Sequence, residues 1–280
     1  MGYSDPNAKA FKFNTSVTFT TSTNLVTETN RDGTAYLSGG YYFNGQSQSA
    51  TRFQKGYTPG YFYGYKTDGL FQTAAEVAAS PTQNGAVPGD IKFKDISGPE
   101  GVPDGKITDL DKTQIGNPFP DFTIGWNLGF EYKNIDLSVF TYASVGNDIY
   151  RAYERNAQYS NKFRSILSRW TGAGTTNDSN SPRYSFTDAN SNIRVSDRYV
   201  EDGSFVKIKN LVIGYTIPPK LFNKKVFNKI RFYAQVKNLY TFTKYTGYDP
   251  EIPGGILDTG VDRGNYPQAR TISFGLDLKF

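Results

Sequence analysis

The chain has 280 residues, a formal charge of +5, 28 glycines and 16% aromatic residues, with neither cysteine nor histidine. That inventory excludes a thiol nucleophile, a Ser-His-Asp triad, zinc held by thiolate or imidazole, and ordinary haem ligation. Apolar residues make up 37% of the chain, a low share for a protein that buries a large core, and no run approaches the length of a membrane-crossing helix.

Residues 1–30 show no basic segment followed by an apolar core, so no secretory signal is read there. Phe11, Phe13, Val17 and Phe19 begin a period-two pattern that predicts a strand over 9–25, and further strands are expected over 36–50 and 56–66. A long polar stretch, 67–119, follows. The clearest alternation then appears: Phe122, Ile124, Trp126, Leu128, Phe130 and Tyr132 against Thr123, Gly125, Asn127, Gly129 and Glu131. It predicts a strand over 120–132, apolar on one face and polar on the other. Lys133-Asn134 turns the chain directly into a strand over 135–147. The next stretch, 148–202, is long and polar, and carries one expected helix over 156–170 with Phe163, Ile166, Leu167 and Trp170 on one side. Strands over 203–216 and 229–241 are joined by a compact connection containing Pro218-Pro219. After a third long stretch, 242–269, a last strand is expected over 270–280, where Ile272, Phe274, Leu276, Leu278 and Phe280 alternate with polar residues.

Strands of about 9 to 11 residues with this alternation suit a tilted crossing of a bilayer, and short connections alternating with long ones suit a transmembrane barrel. The fold class expected is therefore all-β, a segment of a transmembrane antiparallel β-barrel with ~8 strands and long extracellular loops. The alternative is a soluble carbohydrate-binding β-sandwich, whose inner faces also alternate. Lys and Arg are scattered along the chain, so no nucleic-acid partner is expected. No spacing of carboxylates singles out a catalytic pair, and no catalytic residue is assigned.

The chain ends Ser273-Phe274-Gly275-Leu276-Asp277-Leu278-Lys279-Phe280. The placing of Ser273, Gly275, Leu278 and Phe280 resembles the terminal signal that the barrel assembly machinery reads in bacterial outer-membrane proteins. An unpaired final strand can dock on another sheet edge before it closes its own.

Other segments resemble one family in particular. They are Gly60-Tyr61-Phe62-Tyr63-Gly64-Tyr65-Lys66-Thr67-Asp68-Gly69-Leu70-Phe71, then Gly89-Asp90-Ile91-Lys92-Phe93-Lys94-Asp95, and Ile115-Gly116-Asn117-Pro118-Phe119-Pro120-Asp121-Phe122. The run from Ser196 to Leu211, with Gly214-Tyr215, and Tyr248-Asp249-Pro250-Glu251 complete the set. In order and spacing they resemble the SusC/RagA class of TonB-dependent outer-membrane transporters from about residue 56 onward. The resemblance implies a barrel of about 22 strands with a plugged lumen, of which residues 1–280 would be the carboxyl-terminal part, with the plug and amino-terminal domains absent. It implies the outer membrane of a Gram-negative bacterium and its lipid, a SusD-like surface lipoprotein, TonB acting through the missing part, and import of oligosaccharides or peptides without covalent chemistry.

The same resemblance points to a calcium loop at 95–111. Asp104, Asp109 and Asp111, with the Lys106 carbonyl, suit hard oxygen ligation, and Asp95 would fold back across an insertion at 98–102 to join them. A solvated acidic turn is the plainer alternative. Tyr150, Tyr153, Tyr159, Trp170 and Tyr184, all in a long loop, are candidates for stacking on sugars, although such rings also pack loops and line membrane interfaces. They are not carried over from a family motif.

Overall fold

The alternating segments assemble into one long antiparallel sheet. In the computed structural model, which describes residues 2–4, 11–29, 35–43, 47–154, 163–221 and 226–280, the strands are β1 (Gly2–Ser4), β2 (Phe11–Thr20), β3 (Tyr36–Phe43), β4 (Ser47–Gln54), β5 (Tyr61–Gly64), β6 (Thr67–Leu70), β7 (Ile91–Phe93), β8 (Thr113–Gly116), β9 (Phe122–Tyr132), β10 (Ile135–Val145), β11 (Asp148–Arg151), β12 (Val200–Asp202), β13 (Phe205–Thr216), β14 (Lys229–Thr243), β15 (Val261–Asp262) and β16 (Thr271–Lys279). The long sheet has the order β1-β2-β9-β10-β13-β14-β16. Three smaller sheets, β3-β4-β5-β8, β12-β11-β15 and β6-β7, are built within the long connections.

Register carries the apolar stripe from strand to strand. Val17 pairs Trp126, Trp126 pairs Thr141, Leu137 pairs Ile213, Ile213 pairs Ala234, and Ala234 pairs Phe274. A one-residue slip at any ladder would send the apolar set to the other face. Aromatic pairs reinforce the β2–β9 ladder, with ring centres of Phe13 and Phe130 5.1 Å apart and those of Phe19 and Phe122 5.4 Å apart. The one indole on this face is satisfied within the sheet, where Trp126 Nε1 donates to Thr15 Oγ1 at 2.9 Å. The opposite face carries Lys12, Asn127, Asn210, Arg231 and Gln235, among others.

Among the described residues no second sheet covers the apolar face, as a sandwich requires. Phe274 is 83% exposed and Ile272 61%. An apolar surface of this extent needs a covering medium. No described helix is long and apolar enough to cross a membrane.

All long connections leave one end of the sheet. Residues 21–121, 146–204 and 244–270 join β2 to β9, β10 to β13 and β14 to β16 there, while Lys133-Asn134 and 217–228 close the other end. The strands expected over 36–50 and 56–66 differ from the prediction, for they are not part of the long sheet. Residues 36–54 form the β3–β4 hairpin, and the later segment contributes only β5, which pairs β4 and β8. Tyr61 and Phe62 are adjacent and both buried, so this strand has no lipid-type face and lacks the length to span.

The expected helix over 156–170 also differs where it is described. Arg164–Ser168 is a five-residue 3-10 turn, and 155–162 lie outside the described residues. A short helix α1 (Ala74–Ala79) forms instead in the first loop, its amino end capped by Thr73 Oγ1 accepting from Glu76 N at 3.1 Å.

Candidate functional site

The loop end of the sheet is a packed layer rather than a set of free loops. Tyr42, Ala50, Phe62, Tyr150, Tyr199 and Val261 form one buried cluster; Tyr65, Leu70, Ile91 and Phe93 form another. Side-chain amides from 148–202 complete the hydrogen bonding of the first loop. Asn177 Oδ1 accepts from Leu70 N and Asn192 Oδ1 from Ile91 N, both at 2.8 Å, and Asn190 Nδ2 donates to Ile91 O at 3.0 Å. Buried backbone groups left by the two-stranded β6–β7 sheet thus find partners. This accounts for the Asn-rich composition of a segment that reads, by sequence, as a loop.

One correction follows for the stacking candidates. Tyr150 is fully buried, its hydroxyl 2.8 Å from that of Tyr42, and burial pushes its phenol well up. It is a core residue with no face left for a ligand. Tyr153 is half-buried against the Phe163 ring. Trp170 packs on the Leu70 cluster and donates from Nε1 to Gln72 Oε1 at 3.2 Å. Tyr184 meets the edge of Phe186 and lines a cavity of about 80 Å³ with Arg169, Arg183 and Arg198. Tyr159 lies outside the described residues.

In the 95–111 segment the carboxylates named for calcium are spread over separate hydrogen bonds. Asp111 is fully buried; its Oδ1 accepts from Ile96 N and Ser97 N at 2.9 and 3.1 Å, and its Oδ2 from Thr108 N at 2.7 Å. With Thr108 it forms a capping box on the turn Asp109–Asp111. Asp95 Oδ2 accepts from Gly105 N at 2.6 Å and Asp104 Oδ1 from Lys106 N at 3.0 Å. Asp109 points elsewhere, to Lys112 Nζ at 2.8 Å and the Tyr65 hydroxyl at 2.9 Å. The Lys112 ammonium and that hydroxyl hold its carboxyl below the usual range. Among the described residues no three acidic side chains converge on a common point. Backbone N–H groups hold Asp95, Asp104 and Asp111 and side chains hold Asp109, so in this arrangement the four carboxylates are not gathered on one point.

A groove of about 600 Å³ lies against β4 and β5 in the loop layer. Arg52, Tyr36, Tyr63, Arg194, Lys112 and Asp109 line it. The Arg52 guanidinium lies between two rings, 3.7 Å from the centre of Tyr36 and 3.3 Å from that of Tyr63. Arg194 lies 5.0 Å from the Tyr65 ring centre and 4.5 Å from that of Phe93. Sequence reasoning does not find this groove, because its residues come from five separate segments and Arg52 looks like an ordinary outward-facing strand residue.

No protein-family model matches the chain. Among curated proteins it is 34% identical over 251 residues to TonB-dependent receptor P3 of Formosa agariphila, an alignment covering 86% of this chain and 24% of that receptor. It is 26% identical over 277 residues to TonB-dependent receptor SusC of Bacteroides thetaiotaomicron, covering 97% of this chain and 25% of SusC. The chain belongs to the TonB-dependent receptors of the SusC/RagA type. Its fold superposes on a chain of the RagAB peptide transporter with a TM-score of 0.72 at 21% identity, over all of this chain and 28% of that one. The chain thus spans about a quarter of the length of the receptors it matches. The long sheet is a stretch of TonB-dependent receptor barrel in the outer membrane, and lipid is the medium that covers its apolar face. The polar face with Arg231 and Gln235 is the lumen side. Its relatives are receptors and transporters, not enzymes.

Proposed function

We propose that this chain forms the carboxyl-terminal part of the barrel of a TonB-driven importer that takes up oligosaccharides or peptides together with a SusD-like surface lipoprotein. The plug and the segment that meets TonB then belong to the three quarters of the receptor outside this stretch. The observation that carries the reading is the asymmetry of the wall. Six long strands present one apolar face to lipid, and every long connection rises from one end into a packed, concave loop layer. Such a layer is where a surface partner and an incoming ligand meet a barrel. The lumen face contributes polar side chains along the path, and this segment performs no covalent step. The presence of SusC among the relatives and of a RagAB peptide transporter among the fold neighbours supports both the import and the two-component assembly.

Uptake of fluorescent oligosaccharides and peptides by cells with and without the complete gene tests this. Energy-dependent accumulation that vanishes with the gene, and copurification of a surface lipoprotein with the receptor, are the expected results. Unchanged uptake of every oligomer in the deletion strain would overturn it.

A further inference from the structure

The groove against β4 and β5 holds more positive charge than its surroundings neutralise. Of its three cations, only Lys112 has a carboxylate partner, Asp109. Among the described residues no carboxylate lies at ion-pair distance from Arg52 or Arg194, although Asp109 and Asp188 are near enough to act on Arg194. The rings of Tyr36 and Tyr63 stack on the Arg52 guanidinium and fix its plane, so a ligand would meet its N–H edge, which also hydrogen-bonds the Tyr61 side chain. Arg194 spends Nε on Ser191 O at 3.1 Å and Nη2 on Asn190 O at 2.6 Å and also hydrogen-bonds the Tyr65 side chain, which orients the guanidinium. Burial pulls its ionisation below the ordinary arginine range and outweighs the opposing influence of Tyr65, Asp188 and Asp109. Two pre-oriented guanidinium groups without a carboxylate at ion-pair distance suit carboxylates, which they meet with charge-assisted hydrogen bonds.

The rest of the lining says what carries the carboxylate. Ser38, Ser47, Gln48, Thr108 and Ser191 are polar, and only Ile107 and Val195 are aliphatic. Peptide side chains would call for apolar pockets, whereas a saccharide presents hydroxyls along its whole length.

We infer that this groove is a binding site for acidic oligosaccharides, in which Arg52 and Arg194 take the carboxylates of uronic-acid units. The inference rests on the import reading and narrows it to a charged substrate. Binding would weaken with salt, since screening acts on both pairs.

The test uses the complete receptor in detergent, with binding measured by calorimetry. The probes are a tetrasaccharide of uronic acids, its carboxyl-reduced neutral counterpart, and an Asp/Glu tetrapeptide of equal charge. The acidic sugar should bind at least about tenfold more tightly than the neutral one, and Arg52→Gln and Arg194→Gln should each cost about tenfold, the scale of one charge-assisted hydrogen bond. Arg52→Lys keeps the charge without the fork and should recover only part of the loss, which separates recognition from a folding defect. Equal affinity for acidic and neutral sugars, full affinity in both glutamine variants, or tighter binding of the peptide would each overturn the inference. Energised uptake measured in cells reads the import function separately, so undiminished import of acidic oligomers with both arginines replaced would sink this inference and leave the import reading standing.

Discussion

Arg231 on β14 reaches over the intervening strand β13 and grips Asp136 on β10 with two hydrogen bonds, Nε to Oδ1 at 2.8 Å and Nη2 to Oδ2 at 2.6 Å. Its remaining terminal nitrogen, Nη1, meets Asp277 Oδ2 on β16 at 2.8 Å. One guanidinium therefore ties three strands of the lumen face. The span is open because the residue beneath it on β13 is Gly214, where a Cβ would come within 2.5 Å of Arg231 Nε, Nη2 and Asp136 Oδ1. Gly275 plays the same part under the ring of Tyr233, and Gly129 under Asn14.

Gly214→Ala should therefore destabilise the assembled barrel by about 1 to 3 kcal/mol, the usual scale of overpacking. The positions of the guanidinium and carboxylate leave little room to give, because both are held by bidentate geometry. Urea unfolding of the complete receptor in lipid vesicles would measure it. A variant as stable as the parent would show that the bridge can move aside at no cost.

The facing of the wall makes a second, sharper prediction. Leu276 lies on the apolar face, paired with Phe232, while Ser273 lies on the lumen face, paired with Gln235. Leu276→Arg should cost about 2 to 4 kcal/mol if it lies near the bilayer midplane, whereas Ser273→Arg should cost far less. The same unfolding assay, run on both variants, compares one strand's two faces directly. Equal losses would reverse the assignment of lipid and lumen.

Much of this wall is legible in the residues. Lipid on one side and water on the other impose period two, so β9, β10, β13, β14 and β16 announce themselves, and polar excursions between them mark the loop end. The loop layer is harder, because burial there is decided by contacts between distant segments. Tyr150 and Tyr184 look alike in sequence, yet only the first is sealed, by Tyr42, Phe62 and Tyr199. Asp111 reads as a metal ligand, although Thr108-x-x-Asp111 also spells the capping box it forms. The same kind of signal, Thr73-Ala-Ala-Glu76, marks the start of α1. The run from 156 to 170 shows helical spacing of apolar residues without such a cap, and Phe163, at the head of the Arg164–Ser168 turn, supplies no capping hydrogen bond.

Removal of Phe280 should slow assembly into the membrane while leaving ligand affinity unchanged. Phe280 follows β16 directly and touches Phe227, with ring centres 5.1 Å apart, at the end of the sheet opposite the loop layer. β16 pairs with β14 along one edge, and its other edge would stay open until the complete barrel closes. Folding into vesicles followed over time, with and without the assembly machinery, checks this. Equal rates for the parent and the truncated chain in the presence of the machinery would remove Phe280 from the signal.

The loop between β14 and β16 should loosen in acid. Lys207 on β13 is 2% exposed, its Nζ 3.0 Å from both Asp249 Oδ2 and Glu251 Oε2, and Lys209 also pairs with Glu251. Burial pushes the Glu251 carboxyl up, but the hydrogen bonds from Lys209 and Lys207 outweigh it and hold the group below its ordinary value of 4.5. A carboxylate whose folded value is depressed contributes stability that is fully present above its unfolded value and is lost as pH falls through the folded one. The window is therefore below about pH 4.5. Protonation there removes one of two anions facing a buried ammonium, which then lacks full compensation. Hydrogen exchange of 244–270 in the complete receptor should show protection falling below that pH in the parent. In Glu251→Gln, protection should already be reduced at neutral pH and should change less on acidification. A parent loop equally protected at pH 7 and pH 3.5 would show that Asp249 alone anchors it to Lys207.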